Sequence, residues 1–141
     1  MANLTSSKVA GQPTIAHYGS FDRDAAKDLQ DSLAQGEPTA LTGTVDAIPF
    51  PGIVKLNGGS ADAATLAAPI AGPQPYVGDD GKTVTIIDTS GKAHTVTTPT
   101  NAIINSKHVL TFNGTIGSTI TLQAVGGVWV PIGTPNGVTI T

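Results

Sequence analysis

From residue 78 onward the chain alternates apolar and polar residues with a period of two, as strands with one buried face do. Residues 83–88 read TVTIID and residues 93–98 read AHTVTT, and the TSGK between them predicts a hairpin turn. Pro99 stops the second of these strands, since it has no N–H to give to a ladder. AIIN (102–105) and HVLTF (108–112) predict two more, separated by Ser106 and Lys107. STITLQAV (118–125) and VWVPI (128–132) flank Gly126-Gly127, a pair that permits the two positive φ angles of a type I′ turn. Asn136-Gly137 then leads into a terminal VTIT. Strands this short, at spacings of about ten residues, predict a small antiparallel sandwich, jelly-roll or barrel-like domain over 78–141. Its predicted core is Ile86, Val96, Leu110, Phe112, Ile120, Leu122 and Trp129.

Upstream the pattern changes. Residues 1–19 have no periodicity and read as an extended arm. SFDRDAAKDLQDSLAQG (20–36) predicts one short helix: Ser20 caps it, Asp22 and Asp24 suit the positive end of its dipole, and Gly36 closes it. Phe21, Ala25, Leu29 and Leu33 recur every four residues as a narrow apolar stripe, too thin for a core of its own. The stripe must therefore dock against another surface. Residues 37–77 are rich in Pro, Gly and Ala and predict a wrapped connector, with short strands at 52–56 and 63–68 and a turn at Asn57-Gly58-Gly59.

Composition sharpens this picture. There are 17 Gly and 10 Pro, aromatic residues are only 4%, and charged residues are 12%, about half the usual share. No acidic residue follows Asp88, and Lys107 is the only Lys or Arg after Lys92. A solvated surface normally mixes charges of both signs, so this neutral β-region fits either a face shared with identical neighbours or another protein, or a Thr-rich sheet exposed to solvent. The net charge of -3 argues against a phosphate-binding footprint, hence no nucleic-acid partner. No apolar run reaches the ~18 residues of a membrane span, and MANLTSSKVAG lacks the apolar stretch of a secretory signal. The expectation is therefore assembly in a cytoplasm, without membrane contact. The absence of cysteine removes disulfides and thiolate metal sites.

Candidate chemistry is sparse. GDDGKT (78–83) carries the Gly-Lys-Thr that ends a phosphate loop, but Tyr76 stands where the first glycine belongs and a strand follows where a helix is needed. Asp22, Asp24, Asp28 and Asp31 lack the glycine and terminal Glu of a calcium loop and read as a solvated helix face. His17, His94 and His108 are far apart, although His94 and His108 could approach across a sheet. There is no GxSxG elbow and no cysteine nucleophile. The expectation is a protein that is not an enzyme and needs no cofactor or metal.

DDGKTVTIID, AHTVTT, HVLTF, GSTITL, Gly-Val-Trp-Val and the closing GVTIT together resemble the β-domain of small virion accessory proteins of tailed bacteriophages. VDAIPFPG and DAATLAAPIAG are similar to that group too, so the resemblance covers residues 41–141. The group comprises capsid decoration (cement) and head-fibre proteins. The resemblance implies a homotrimer on the capsid exterior, with itself and the major capsid protein as partners. Related β-modules occur in tail fibres and baseplates, which makes a module that contacts a host surface glycan the alternative.

Overall fold

The computed structural model describes residues 37–73 and 77–141. The predicted arm and helix, with Phe21, Ala25, Leu29 and Leu33, lie outside the described residues. Residues 37–141 are one compact unit. It is mainly β, with no helix among the described residues.

Nine strands form two mixed sheets. β1 (Thr39–Leu41), β2 (Gly52–Leu56), β4 (Thr83–Asp88), β7 (Thr119–Val125) and β8 (Val128–Asn136) make a five-stranded sheet in the order β1-β2-β4-β7-β8. β3 (Ala63–Thr65), β5 (Thr95–Thr97), β6 (Val109–Phe112) and β9 (Val138–Ile140) make a four-stranded sheet in the order β3-β5-β6-β9. Buried residues from both sheets join in one hydrophobic cluster, so the arrangement is sandwich-like. Ile86, Val96, Leu110, Phe112, Ile120, Leu122 and Trp129 all lie in that cluster.

The antiparallel expectation needs correction. Pairs within 78–141 (β4–β7, β7–β8, β5–β6 and β6–β9) are antiparallel, but β1–β2, β2–β4 and β3–β5 are parallel. Every parallel pair involves a strand from the stretch read as a connector, which thus supplies three strands and helps build both sheets. Val54, Leu56, Ala64 and Leu66 from that stretch are buried in the common core.

Two local readings also change. β4 and β5 are not a hairpin, because both sides of β4 are taken by β2 and β7. The TSGK segment instead carries the chain from one sheet to the other. Asp88 Oδ1 accepts the N–H groups of Ser90 (2.9 Å) and Gly91 (2.8 Å) and so shapes that corner. Residues 102–105 form bridges and turns rather than a strand. Positive φ at Asn101, Asn105 and Ser106 curls the segment so that Ile103 enters the core while Ile104 stays exposed.

The Gly126-Gly127 turn has φ values of 59° and 87°, as a type I′ turn requires. β8 continues past Pro131 because of where its backbone groups point. Trp129 directs its N–H to Ala102 O (2.8 Å) and its C=O to Ile104 N (3.0 Å), away from β7. Pro131, two residues on, shares that orientation, so its missing N–H costs the β7–β8 ladder nothing and leaves the sheet edge without a donor there. At the margin of the other sheet, segment 44–48 covers β3: Ala63 N–H binds Thr44 O (2.8 Å) and Thr65 N–H binds Asp46 O (2.7 Å).

Candidate functional site

The alternation that fills the core also sets the outer faces. On the five-stranded sheet, Ile53, Thr85, Thr121 and Ile132 align across β2, β4, β7 and β8. Lys55, Ile87 and Thr119 form the next row, and Thr83, Gln123 and Val130 another. Lys55 is the only charged residue in these rows. The polar side chains here are mostly satisfied within the subunit: the hydroxyls of Thr85 and Thr121 bond each other (3.0 Å), Thr119 Oγ1 donates to Gly117 O (2.7 Å), and Asn136 Nδ2 donates to the same carbonyl (3.2 Å). A face whose hydrogen bonds are already made loses little when water is removed from it.

The four-stranded sheet differs. Ala63, Thr95, Thr111 and Thr139 form one row, and Thr65, Thr97 and Val109 the next. It too carries no charge, but among the described residues no side-chain hydrogen bond engages the hydroxyls of Thr95, Thr97, Thr111 or Thr139. They are free to bind water. Beside this sheet, near β3, lies an open cleft of about 400 Å³, lined among others by Ala47, Leu66, Ala67 and Pro99. No titratable side chain lines it.

One buried polar cluster sits at the sheet-crossing corner. Asp62, Asp88 and His94 are all at most 2% exposed. The Asp62 backbone N–H donates to His94 Nδ1 (2.9 Å), which makes Nδ1 an acceptor and places the ring proton on Nε2. Nε2 lies 2.7 Å from Ser90 Oγ, and the Ser90 hydroxyl reaches Asp88 Oδ1 at 3.4 Å. The proton order therefore runs from histidine to serine to aspartate. A histidine that activates serine needs the opposite order, with Nε2 bare toward the hydroxyl. Asp62 Oδ2 is 3.3 Å from Nδ1, yet Asp62 Oδ1, Asp62 Oδ2 and Asp88 Oδ2 have no hydrogen-bond partner. The two carboxylates approach opposite nitrogens of the ring and do not converge on one point. The geometry ties together the β2–β3 loop, the end of β4 and the start of β5.

The expected approach of His94 and His108 does not occur: His94 O accepts the N–H of Phe112, four residues along from His108. Among the described residues no group of three metal-ligating side chains forms. His17, Asp22, Asp24, Asp28 and Asp31 lie outside those residues.

GDDGKT is a turn that closes one end of the unit. Asp79 Oδ2 accepts the Ile70 N–H (2.7 Å), Asp79 Oδ1 pairs with Lys82 Nζ (2.6 Å), and Asp80 Oδ1 accepts the Gly126 N–H (2.7 Å). Gly78 is obligatory because a Cβ there would lie 1.9 Å from Gly72 O. The Lys82 hydrogen bond, and then the Ile70 N–H, hold the Asp79 carboxyl below its ordinary range. A depressed folded pKa stabilises the fold above the unfolded value and ceases to do so as pH falls through the folded one. The melting temperature of Asp79→Asn should thus lie below that of wild type by a constant gap above about pH 5, and the gap should close below about pH 4. Differential scanning fluorimetry from pH 7 to 2.5 measures it, and a gap unchanged at low pH would contradict the assignment.

Sequence reasoning missed the Asp62–Ser90–His94 cluster. The only available signal was a histidine in the inward phase of an alternating strand, AHTVTT. No family model matches this chain, and no curated protein matches it.

Proposed function

We propose that the chain is a virion structural protein, a homotrimeric capsid decoration (cement) protein that binds and stabilises an assembled phage head. The observation that carries this reading is the scarcity of charge on both sheet faces, with Lys55 the one charge in their rows, in a unit stitched together by buried polar contacts. Such a unit suits dense packing against copies of itself and a protein shell better than life as a dispersed, charged monomer. The resemblance over residues 41–141 supports the same reading. Its partners are other copies and the major capsid protein, its place is the capsid exterior, and it does no bond chemistry. The N-terminal 36 residues grip the shell through Phe21, Ala25, Leu29 and Leu33. A protein that binds the assembled shell alone stabilises it by mass action, and three linked contacts per trimer raise the effective concentration of each.

Co-sedimentation with undecorated capsids is the test. The full chain should pellet with shells, and the chain lacking residues 1–36 should stay in the supernatant while keeping its β-type circular dichroism. Failure of the full chain to bind heads, with copies seen instead on tails in images of intact particles, would replace this reading by the tail-fibre or baseplate one.

A further inference from the structure

We infer that the outer face of the five-stranded sheet is the self-association surface, and that three copies place it around a common axis as the walls of a triangular β-prism. This rests on the reading of the chain as a self-assembling structural protein and specifies the surface and partner involved.

Three observations favour a second copy as occupant. First, the face is chemically suited to burial. Its aliphatic residues are Ile53, Ile87, Val125, Val128, Val130 and Ile132, of which Val125 and Ile132 are 49% and 48% exposed. Thr85, Thr121, Thr119 and Asn136 have already spent their hydrogen bonds inside the subunit. Second, a partner for it should itself carry little charge, because apart from Lys55 this face offers nothing for a charge to pair with. This chain offers such a face. The lone charge, Lys55, stands on β2 toward the short edge strand β1, where a long side chain can reach solvent. Third, lateral growth is obstructed: segment 102–104 covers the backbone of β8 at Trp129, and Pro131 removes the next donor. With that edge closed, the face beside it is the larger surface left for packing.

The width of the sheet accommodates three copies. Packed sheets lie ~10 Å apart, so the side chains of each face reach ~5 Å from its mean plane. Three planes, each ~5 Å from an axis, form a triangle with sides 2√3 times that distance, about 17 Å. Five strands at ~4.8 Å spacing are about 19 Å wide, and the four from β2 to β8 about 14 Å. Three such faces therefore meet at the axis without leaving a channel. β7, with seven residues, spans roughly 23 Å, and each wall shortens toward β2 with five residues and β1 with three.

The test is mass by light scattering on the full chain at 10–100 μM, as an order of magnitude typical of such assays, with circular dichroism as the folding control. Wild type should have the mass of three subunits. Thr121→Lys, at the centre of the face, and Ile132→Asp, at a position already half exposed, should each reduce it to one subunit with the β-type spectrum retained. Thr97→Lys and Thr111→Lys, on the other sheet, should leave it at three. A monomeric wild type, or dissociation by the Thr97 and Thr111 variants instead, would overturn the assignment. So would Thr121→Lys and Ile132→Asp variants that stay trimeric but no longer pellet with capsids, because the occupant would then be the shell. The decoration reading stands or falls separately, on whether the full wild-type chain binds capsids.

Discussion

Replacing Trp129 by alanine should lower the unfolding free energy of the 37–141 unit by about 3–5 kcal/mol. The indole is completely buried, meets the Phe50 ring edge-on at a centroid distance of 4.9 Å, and donates Nε1–H to Ala67 O at 2.9 Å. Truncation removes the largest buried side chain of a core that is otherwise mainly aliphatic, together with its hydrogen bond to Ala67 O. The surroundings can close little of the resulting cavity, because the Trp129 backbone is pinned on one side by β7 and on the other by Ala102 and Ile104. Domains of this size have a total stability of roughly 5–15 kcal/mol, so the variant should be close to unfolding at 37 °C. Urea denaturation followed by circular dichroism measures the change. A loss below about 1 kcal/mol would mean that the tryptophan is not the keystone of this core.

His94→Ala should cost a similar amount, about 3–5 kcal/mol, because it leaves a buried donor without its acceptor as well as a cavity. The imidazole is the acceptor for the Asp62 N–H and the neighbour of Ser90 Oγ, and it separates two buried carboxyl groups. Without it, the Asp62 N–H loses its partner, and Asp62 and Asp88 face each other across an apolar void. A double-mutant cycle with Asp62→Asn distinguishes this from simple cavity formation. Coupled groups should show an interaction free energy of about 0.5–3 kcal/mol, whereas additive losses would reduce His94 to packing alone. Chemical denaturation of the two single variants and the double variant supplies all the required numbers.

Much of the architecture was legible because strands with one buried face write their period into the sequence. TVTIID and STITLQAV became β4 and β7 with Val84, Ile86, Ile120 and Leu122 in the core and Ile87 and Val125 on the outer face, and GIVKL became β2. The Gly126-Gly127 hairpin was legible as well, since few residues other than glycine accept two successive positive φ angles. Turn chemistry misled at TSGK, however. Asp-Thr-Ser-Gly caps a hairpin or a sheet-crossing corner equally well, and the choice depends on whether β4 has a free side for β5. β7 and β2 occupy both sides, and they come from distant parts of the chain. Of the connector's strands, β2 and β3 were legible and β1 was not, and at three to five residues between prolines their propensity alone does not reveal which neighbours they pair with.

What the sequence by itself determined is therefore local: the β class, the phase of the longer strands, part of the core (Ile86, Val96, Leu110, Phe112, Ile120, Leu122 and Trp129), and the scarcity of charge after Asp88. These follow from period, turn residues and composition, which act within a few residues. Only the tertiary structure decided which strands are neighbours, that three pairs run parallel, and that the hydroxyls of one face are bonded internally while those of the other are not. It also decided that Asp62, from the β2–β3 loop, meets His94, 32 residues later. Those outcomes depend on contacts between segments far apart in the chain, and the free energy that selects them appears only when the two sheets close over one core.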